Sequence, residues 1–266
     1  MIDQSQLLRM EVEARPGGKI ARLTIDNDRK LNTLGSVLMS QFVAAMAELE
    51  RVPDLRAVVL AAEGTRAFIG GADIREMAEL DPISARRFIS RIHACCDALR
   101  NLPVPVIAEI GGVTFGAGLE IAAACDLRVA ADTASFGMPE VRLGIPSVVE
   151  AALLPMLIGW GRTRRLLLLG ETISAAEAER WGLVEAVVAP AALRETVDAW
   201  VDMLLQAGPR AITAQKRLMR SWEDLPIRAA ISAGIDAFAA SWEHDEPGVA
   251  MRAFLDRQAA RKGQPS

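Results

Sequence analysis

The sequence contains few of the side chains that usually build metal centres, disulfide frameworks and histidine-based active sites. It has 266 residues but only two histidines, His93 and His244, and three cysteines. Cys95, Cys96 and Cys125 show neither a metal-ligand spacing nor a disulfide pattern, which favours a reducing, cytoplasmic setting. Two histidines are also a poor basis for a zinc site or a catalytic triad. We therefore expect carboxylates and backbone dipoles to carry any chemistry, without a metal.

Long apolar runs and an excess of positive charge are absent as well. No uncharged apolar stretch reaches the length of a membrane span, and acidic residues among the N-terminal arginines differ from a secretory or transit peptide. The net charge of -4 argues against a general nucleic-acid binder. Hydrophobic residues make up 51% and charged residues 24%, as in ordinary globular proteins. We expect neither a membrane nor a nucleic acid as a partner.

The order of the predicted elements indicates an α/β core followed by a helical region. Short apolar runs predict strands at residues 7–14, 19–26, 56–62, 104–110 and 127–131. Apolar residues at helical spacing predict helices at residues 34–51 and 82–102. Because strands and helices alternate up to about Val188, we expect βαβ-like units and a mixed or parallel sheet. From Pro190 onward the pattern is helical throughout.

The stretch with the strongest functional signal is GGVTFGAGLEIAAACD, at residues 111–126. It follows a predicted buried strand and leads into a predicted helix. Gly116 and Gly118 allow the backbone to approach a ligand closely, and the start of a helix offers unpaired N–H groups. Such groups can hold an anion or a developing oxyanion. Glu120 lies beside them, either as a catalytic carboxylate or as a first-turn residue favoured by the helix dipole.

A dinucleotide-binding loop is an alternative interpretation of the same stretch. The residues from Gly116 to Gly118 follow a strand and open a helix, but Ile121 occupies the third position of the fingerprint, where Gly or Ala is expected. Glu140 lies at about the distance of a ribose-binding acid. Two glycines in the middle of the chain are a weak signal, so we rank this alternative low.

A second glycine-containing segment, AFIGGADI at residues 67–74, has a similar arrangement. Gly70 and Gly71 precede a predicted helix start, where a second set of free backbone N–H groups would be available. The alternative is an ordinary glycine turn in which Asp73 caps the next helix.

A second isolated carboxylate, Glu140, follows in the loop FGMPE. Glu120 and Glu140 could serve as a general acid and a general base, while the alternative is that Glu140 starts a helix or faces water. The residues from Ser147 to Glu150 fit a capping box. We therefore interpret Glu150 as structural and expect its change to glutamine to act mainly on stability.

Five ordered segments together resemble the crotonase family, which comprises enoyl-CoA hydratases and isomerases. They lie between residues 31 and 188 and read LNTL, AFIGGADI, GGVTFGAGLEIAAACD, FGMPEVRLGIP and GETISAAEAERWGLVEAVV. The resemblance extends from about Lys19 to Val188. It implies an α/β fold with a crotonase-like spiral of ββα units at residues 1–189. It also implies a C-terminal helical trimerisation region at residues 190–266, and a homotrimer or a dimer of trimers.

The resemblance also implies a substrate and a role for each matched residue. The thioester carbonyl of an acyl-CoA would accept hydrogen bonds from the N–H groups of Ala72 and Ala117. Glu120 matches the carboxylate that helps to activate water, and Glu140 matches the one that exchanges a proton with the α-carbon. CoA is part of the substrate, and no other cofactor is implied. The positions near the CoA phosphates or adenine are Arg29, Thr33, Gly70 and Ile74.

The expected function is an enoyl-CoA hydratase that converts a trans-2-enoyl-CoA into a 3-hydroxyacyl-CoA. One alternative is an enoyl-CoA isomerase that relies chiefly on Glu140; the presence of Glu120 favours hydration, because isomerases of this family often lack one acid. The other is a non-catalytic CoA-binding scaffold, which a missing acid or a blocked oxyanion segment would indicate. The sequence IPSVVEAA at residues 145–152 replaces the Gly-Gly-Thr-rich turn usual in hydratases. The resemblance therefore does not predict the length or the identity of the acyl group.

Overall fold

The computed structural model describes residues 6–262, and the side chains of residues 6–260. The strands are β1 (Leu8–Arg15), β2 (Gly18–Ile25), β3 (Leu55–Ala62), β4 (Ala67–Ile69), β5 (Val106–Ile110), β6 (Val113–Phe115), β7 (Leu127–Ala131), β8 (Ser135–Gly137), β9 (Thr172–Ser174) and β10 (Ala186–Val188). The α-helices are α1 (Ser36–Leu49), α2 (Ile74–Met77), α3 (Pro82–Asn101), α4 (Ala117–Ala124), α5 (Leu154–Leu169), α6 (Ala175–Trp181), α7 (Leu193–Gln206), α8 (Pro209–Trp222), α9 (Ile227–Ser241) and α10 (Glu246–Lys262).

The larger sheet has six strands in the order β1-β2-β3-β5-β7-β10. Only β1 and β2 are antiparallel, and they are joined by a tight turn in which Gly17 and Gly18 adopt positive φ angles of 96° and 139°. All other neighbouring pairs are parallel. Parallel strands need crossover connections, which α1 and α3 provide with buried apolar faces that include Phe42 and Phe88. The predicted mixed sheet is therefore confirmed.

A second sheet consists of four strands of three residues each, in the order β4-β6-β8-β9. These strands are not predicted from the sequence, because three residues are too few for a detectable two-residue alternation. The pairs β4–β6 and β6–β8 are parallel, so these three strands end at the same edge of the sheet. Gly70 directly follows β4, Gly116 follows β6, and Glu140 comes shortly after β8. The small sheet therefore brings three distant segments together.

Helices α2 and α6 are each capped by a side chain at the first turn, α2 by Asp73, as the alternative interpretation of residues 67–74 expected. Asp73 accepts a hydrogen bond from the N–H of Arg75 at 3.0 Å, and Ser174 accepts one from the N–H of Glu177 at 3.2 Å. Each bond satisfies an N–H group that the first turn of the helix leaves without a partner.

The capping box predicted from Ser147 to Glu150 is wrong. The chain forms a 3-10 helix at Val149–Leu153 without a side-chain cap. The hydroxyl of Ser147 donates to the Oε2 atom of Glu140 at 2.9 Å instead. Val149 has a φ angle of 38°, so the backbone turns differently from a regular helix start, and Glu150 becomes buried.

The chain forms two compact units, Met1–Asp202 and Met203–Ser266. In the second unit, α8 packs against α9, and the rings of Phe238 and Trp242 meet edge to face at 6.4 Å. The helical character predicted from Pro190 onward is confirmed for the residues described there. The first three of them, Pro190–Ala192, form a 3-10 helix, and α-helices follow. The domain boundary predicted at residue 189 and the trimerisation role stay predictions. Among the described residues, no helix has both the length and the apolar character needed to cross a membrane.

We predict that Gly118→Ala lowers the free energy of unfolding by at least roughly 2 kcal/mol. A Cβ atom on Gly118 would lie only 2.1 Å from the backbone oxygen of Ile69, so α4 and β4 could not keep their close contact. The matched control is Gly161→Ala in α5, where a Cβ atom meets no other atom within 4 Å. Urea unfolding of both variants measures the effect. Equal stability of the two variants would contradict the close packing of α4 on β4.

Candidate active site

A cavity of about 510 Å³ opens at the edge of the small sheet where β4, β6 and β8 end. Its walls are mostly apolar and come from α2, α3 and the loops after β6 and β8. Its polar side chains are Arg86, Glu120 and Glu140. Apolar walls with a few converging polar groups are typical of small-molecule sites. The apolar residues include Ile74, Met77, Leu80, Phe88, Ile89, Ile92, Phe115, Leu143, Ile145 and Val148.

Two backbone segments bring the predicted oxyanion donors to this cavity, since both Ala72 and Ala117 line it. Gly71 adopts a φ angle of 119°, and a Cβ atom there would lie 3.4 Å from the backbone oxygen of Phe115. The two segments are therefore in contact. Within the part of the chain that is described, no protein acceptor is found for the N–H group of Ala72 or of Ala117. Both donors remain available to a ligand.

Glu120 is buried in the first turn of α4, with 4% of its surface exposed. Burial raises the pKa of its carboxyl to about 8, and the negative charge of Glu140 contributes in the same direction. The backbone of Ala151 and Val148 opposes this rise, while the charge of Glu150 adds to it. Burial therefore favours the protonated form of Glu120 at neutral pH in the free protein.

Glu140 lies across from α4 at the start of the 3-10 helix Pro139–Leu143. Its Oε2 atom accepts the hydrogen bond from the Ser147 hydroxyl, which fixes the orientation of the carboxylate. A Cβ atom on Gly116 would come within 2.6 Å of its Oε1 atom. Glu140 thus reaches the glycine that opens α4, and the two predicted carboxylates share one site.

A third carboxylate, that of Glu150, lies close to this site, on the 3-10 helix that packs against α4. Its Oε1 atom lies 2.7 Å from Nδ1 of His93 in α3, and only 5% of its side chain is exposed. Burial, followed by the charge of Glu150, raises the pKa of the Cys96 thiol well above its usual value. The local Ser-x-x-Glu pattern concealed this position, because only the tertiary structure brings α3 to it.

The four predicted CoA-binding residues do not all reach the cavity. Gly70 and Ile74 line it. Thr33 lies next to Gly70, since a Cβ atom on that glycine would be 3.7 Å from the Thr33 methyl carbon. Arg29 is exposed in the 3-10 helix Asp28–Lys30 and is not part of the cavity wall. Two of the four predicted CoA positions therefore line the cavity, one lies next to it and one lies outside it.

The profile of the enoyl-CoA hydratase/isomerase family matches residues 15–264. A short-chain-enoyl-CoA hydratase of Clostridium acetobutylicum is 34% identical over 242 residues, covering 91% of this chain and 93% of that protein. A crotonyl-CoA hydratase of Syntrophomonas wolfei is 32% identical over 243 residues, covering 91% and 94%. The crystal structure of an enoyl-CoA hydratase from Mycobacterium smegmatis superposes with a TM-score of 0.90 at 29% identity, covering 95% of this chain and 97% of that one.

The chain therefore belongs to the enoyl-CoA hydratase/isomerase family, and the resemblance to the crotonases is confirmed. The crotonase fold is confirmed by the same structural likeness. A second solved structure, an enoyl-CoA hydratase from Bacillus anthracis, gives a TM-score of 0.89 at 29% identity over 95% of this chain and 97% of that one.

The raised pKa of Glu120 predicts a specific pH dependence of stability. The ordinary pKa of a glutamate is 4.5, and that of Glu120 in the folded protein is about 8. Between these two pH values, the folded protein keeps a proton on Glu120 that the unfolded chain releases. This contribution to stability is complete below pH 4.5 and is lost as the pH rises through 8. Glu120→Gln cannot titrate and so escapes this loss, and the stability of the variant relative to the wild type should increase as the pH rises from 5 to 9.

Urea unfolding at several pH values and constant protein concentration measures this difference. The matched control is Glu48→Gln, which removes an exposed carboxylate of α1 and should leave the pH dependence unchanged. Parallel stability curves for the wild type and Glu120→Gln would show that Glu120 titrates normally.

Proposed function

We propose that this protein is an enoyl-CoA hydratase that adds water to a trans-2-enoyl-CoA and releases a 3-hydroxyacyl-CoA. The observation that carries the proposal is one apolar cavity whose wall holds both Glu120 and Glu140 and, beside them, the backbone of Ala72 and Ala117. Two separate carboxylates suit the transfer of two protons. Two backbone donors suit the stabilisation of one developing oxyanion.

The N–H groups of Ala72 and Ala117 are proposed to bind the thioester oxygen. Attack of water on the β-carbon pushes electrons toward the carbonyl, and negative charge develops on that oxygen. Donors fixed in an apolar cavity stabilise this charge without having to reorient at the moment of reaction. The proposed reaction thus requires no redox step and no cofactor besides the CoA of the substrate.

The two glutamates are proposed to share one proton during the reaction. In hydration, Glu120 takes a proton from water as the oxygen bonds to the β-carbon, and Glu140 gives a proton to the α-carbon. In dehydration, Glu140 removes the α-proton and Glu120 protonates the departing hydroxyl. The free protein, with its proton on Glu120, is the form that begins dehydration. Hydration begins after that proton has moved to Glu140, and both directions need one proton in the pair.

The substrate is proposed to carry a short acyl chain. Two similar proteins support this, since one is named a short-chain-enoyl-CoA hydratase and the other a crotonyl-CoA hydratase. The CoA part is proposed to contact Arg29, Thr33, Gly70 and Ile74. The three cysteines are free and buried, in keeping with a proposed reducing, cytoplasmic setting.

A homotrimer or dimer of trimers is proposed for the assembly, and the exposed apolar face of α9 supports it. That face consists of Ile227, Ile231, Ile235 and Phe238.

Assays with a short trans-2-enoyl-CoA and with the matching 3-enoyl-CoA test this function directly. We expect hydration of the first substrate at a rate well above conversion of the second, because two acids line the cavity. Conversion of the 3-enoyl substrate without hydration would instead favour the isomerase. Binding of CoA thioesters without turnover of any tested acyl group would favour a non-catalytic scaffold.

We predict that Glu120→Gln and Glu140→Gln each lower turnover by roughly two to four orders of magnitude. Glutamine preserves the side-chain volume but cannot exchange the proton. Binding of a thioester should persist, because the proposed oxyanion donors belong to the backbone. Steady-state kinetics and calorimetric titration with a saturated acyl-CoA separate the two effects, with Glu48→Gln as the control. Near-normal turnover in either variant would remove that glutamate from the mechanism.

A further inference from the structure

Glu150 lies in a segment with an uncommon backbone conformation. Val149, directly before it, has a φ angle of 38°, in the left-handed region that β-branched residues rarely adopt. Strain of this kind persists where the surrounding structure holds it, and it is often found at functional sites. The conformation carries the Glu150 side chain into the protein, where the whole residue is 4% exposed.

The contacts of Glu150 connect the interior with the surface. Its Oε1 atom lies 2.7 Å from Nδ1 of His93, whose side chain is 56% exposed. Its Oε2 atom is buried and has no hydrogen-bond partner within residues 6–260. A buried carboxylate oxygen without a partner costs free energy, so a purely structural role would be served better by a neutral side chain.

The segment that carries Glu150 lies against the helix that carries Glu120. The 3-10 helix Val149–Leu153 packs on α4, and both glutamates are buried. The negative charge of Glu150 acts on Glu120 and disfavours its ionised form. Any change in the charge of Glu150 therefore changes how tightly the Glu120 carboxyl binds its proton.

The titratable groups around the segment come from several elements. Helix α3 contributes His93 and Cys96, α4 contributes Glu120, and the loop after β8 contributes Glu140. Helix α5 also packs against the segment, but it begins with apolar residues and its first charged residue is Arg162. His93 is thus the basic side chain in contact with Glu150, and the other acidic groups favour a proton on Glu120.

We propose that Glu150 is a positioning residue that acts through Glu120: its negative charge keeps the proton of the carboxylate pair on Glu120, while the contact with His93 fixes the Glu150 side chain from the surface side. The proposal deepens the proposed hydratase function and rests on it. The substrate is not required to touch Glu150, which is not among the residues that line the cavity.

The pH profile of kcat/KM tests this role. In the wild type, kcat/KM should fall at high pH with a midpoint near pH 8, where the pair loses its last proton. We call this fall the alkaline limb. Glu150→Gln should move this limb to lower pH by roughly one unit, because a negative charge near Glu120 disappears. Glu150→Asp keeps the charge and should leave the limb close to that of the wild type. A residue with a purely structural role would change stability without moving the limb.

Two further variants complete the design. Glu48→Gln removes one exposed charge of the same sign and should not move the limb. His93→Phe retains a ring at a largely exposed position but removes the nitrogen that lies 2.7 Å from Glu150, so the Glu150 side chain loses its fixed position and the limb should move away from that of the wild type. If Glu150→Gln fails to fold, the limb of His93→Phe decides. An unchanged limb, or an equal shift in Glu48→Gln, would overturn the proposal.

A double-mutant cycle distinguishes a failure of this proposal from a failure of the proposed function. It compares the effect of Glu120→Gln on the pH dependence of unfolding in the wild-type and Glu150→Gln backgrounds. The proposal requires a smaller effect in the second background, and equal effects would overturn it. This result does not depend on turnover. A wild-type protein that hydrates no enoyl-CoA would reject the proposed function and leave the cycle to decide the role of Glu150.

Discussion

The buried carboxyl of Glu120 is the feature on which the arrangement of the site depends. Removing a carboxylate from water disfavours its charge, so the group keeps its proton at a pH where an exposed glutamate would be ionised. The backbone of Val148 and Ala151 partly offsets this effect. Close packing of Gly118 on Ile69 fixes the helix that carries the residue. Burial thus favours a proton on this carboxyl, beside an apolar cavity.

The small sheet explains how distant parts of the chain reach this carboxyl. Three parallel strands end at one edge, and each is followed by a segment of the cavity wall. The glycine pair at Gly70 and Gly71 comes from the first segment, Gly116 and the start of α4 from the second, and Glu140 from the third. Because hydrogen bonds of the sheet fix these ends relative to one another, the backbone donors and the two acids are held in register before any ligand binds.

The sequence alone predicted the long elements and much of the site, since both rest on local patterns. The helix at Pro82–Asn101 and the strand at Leu127–Ala131 follow from periodicity, and the resemblance pointed to Glu120 and Glu140, which line one cavity. The three-residue strands are too short for any periodicity. The capping box at Glu150 was wrongly predicted because a capping pattern describes only four consecutive residues. The positive φ angle of Val149 and the approach of His93 depend on tertiary contacts that no local pattern contains.

The most direct test of this account is the titration of the Glu120 carboxyl in the free protein. NMR of protein labelled with carbon-13 at the glutamate carboxyls follows each group as the pH changes, and the signal absent from Glu120→Gln identifies Glu120. The account predicts a group that is protonated at pH 7 and titrates near pH 8. A titration near the ordinary value of 4.5 would show that the carboxyl is ionised at neutral pH, and the proposed division of protons between Glu120 and Glu140 would be wrong.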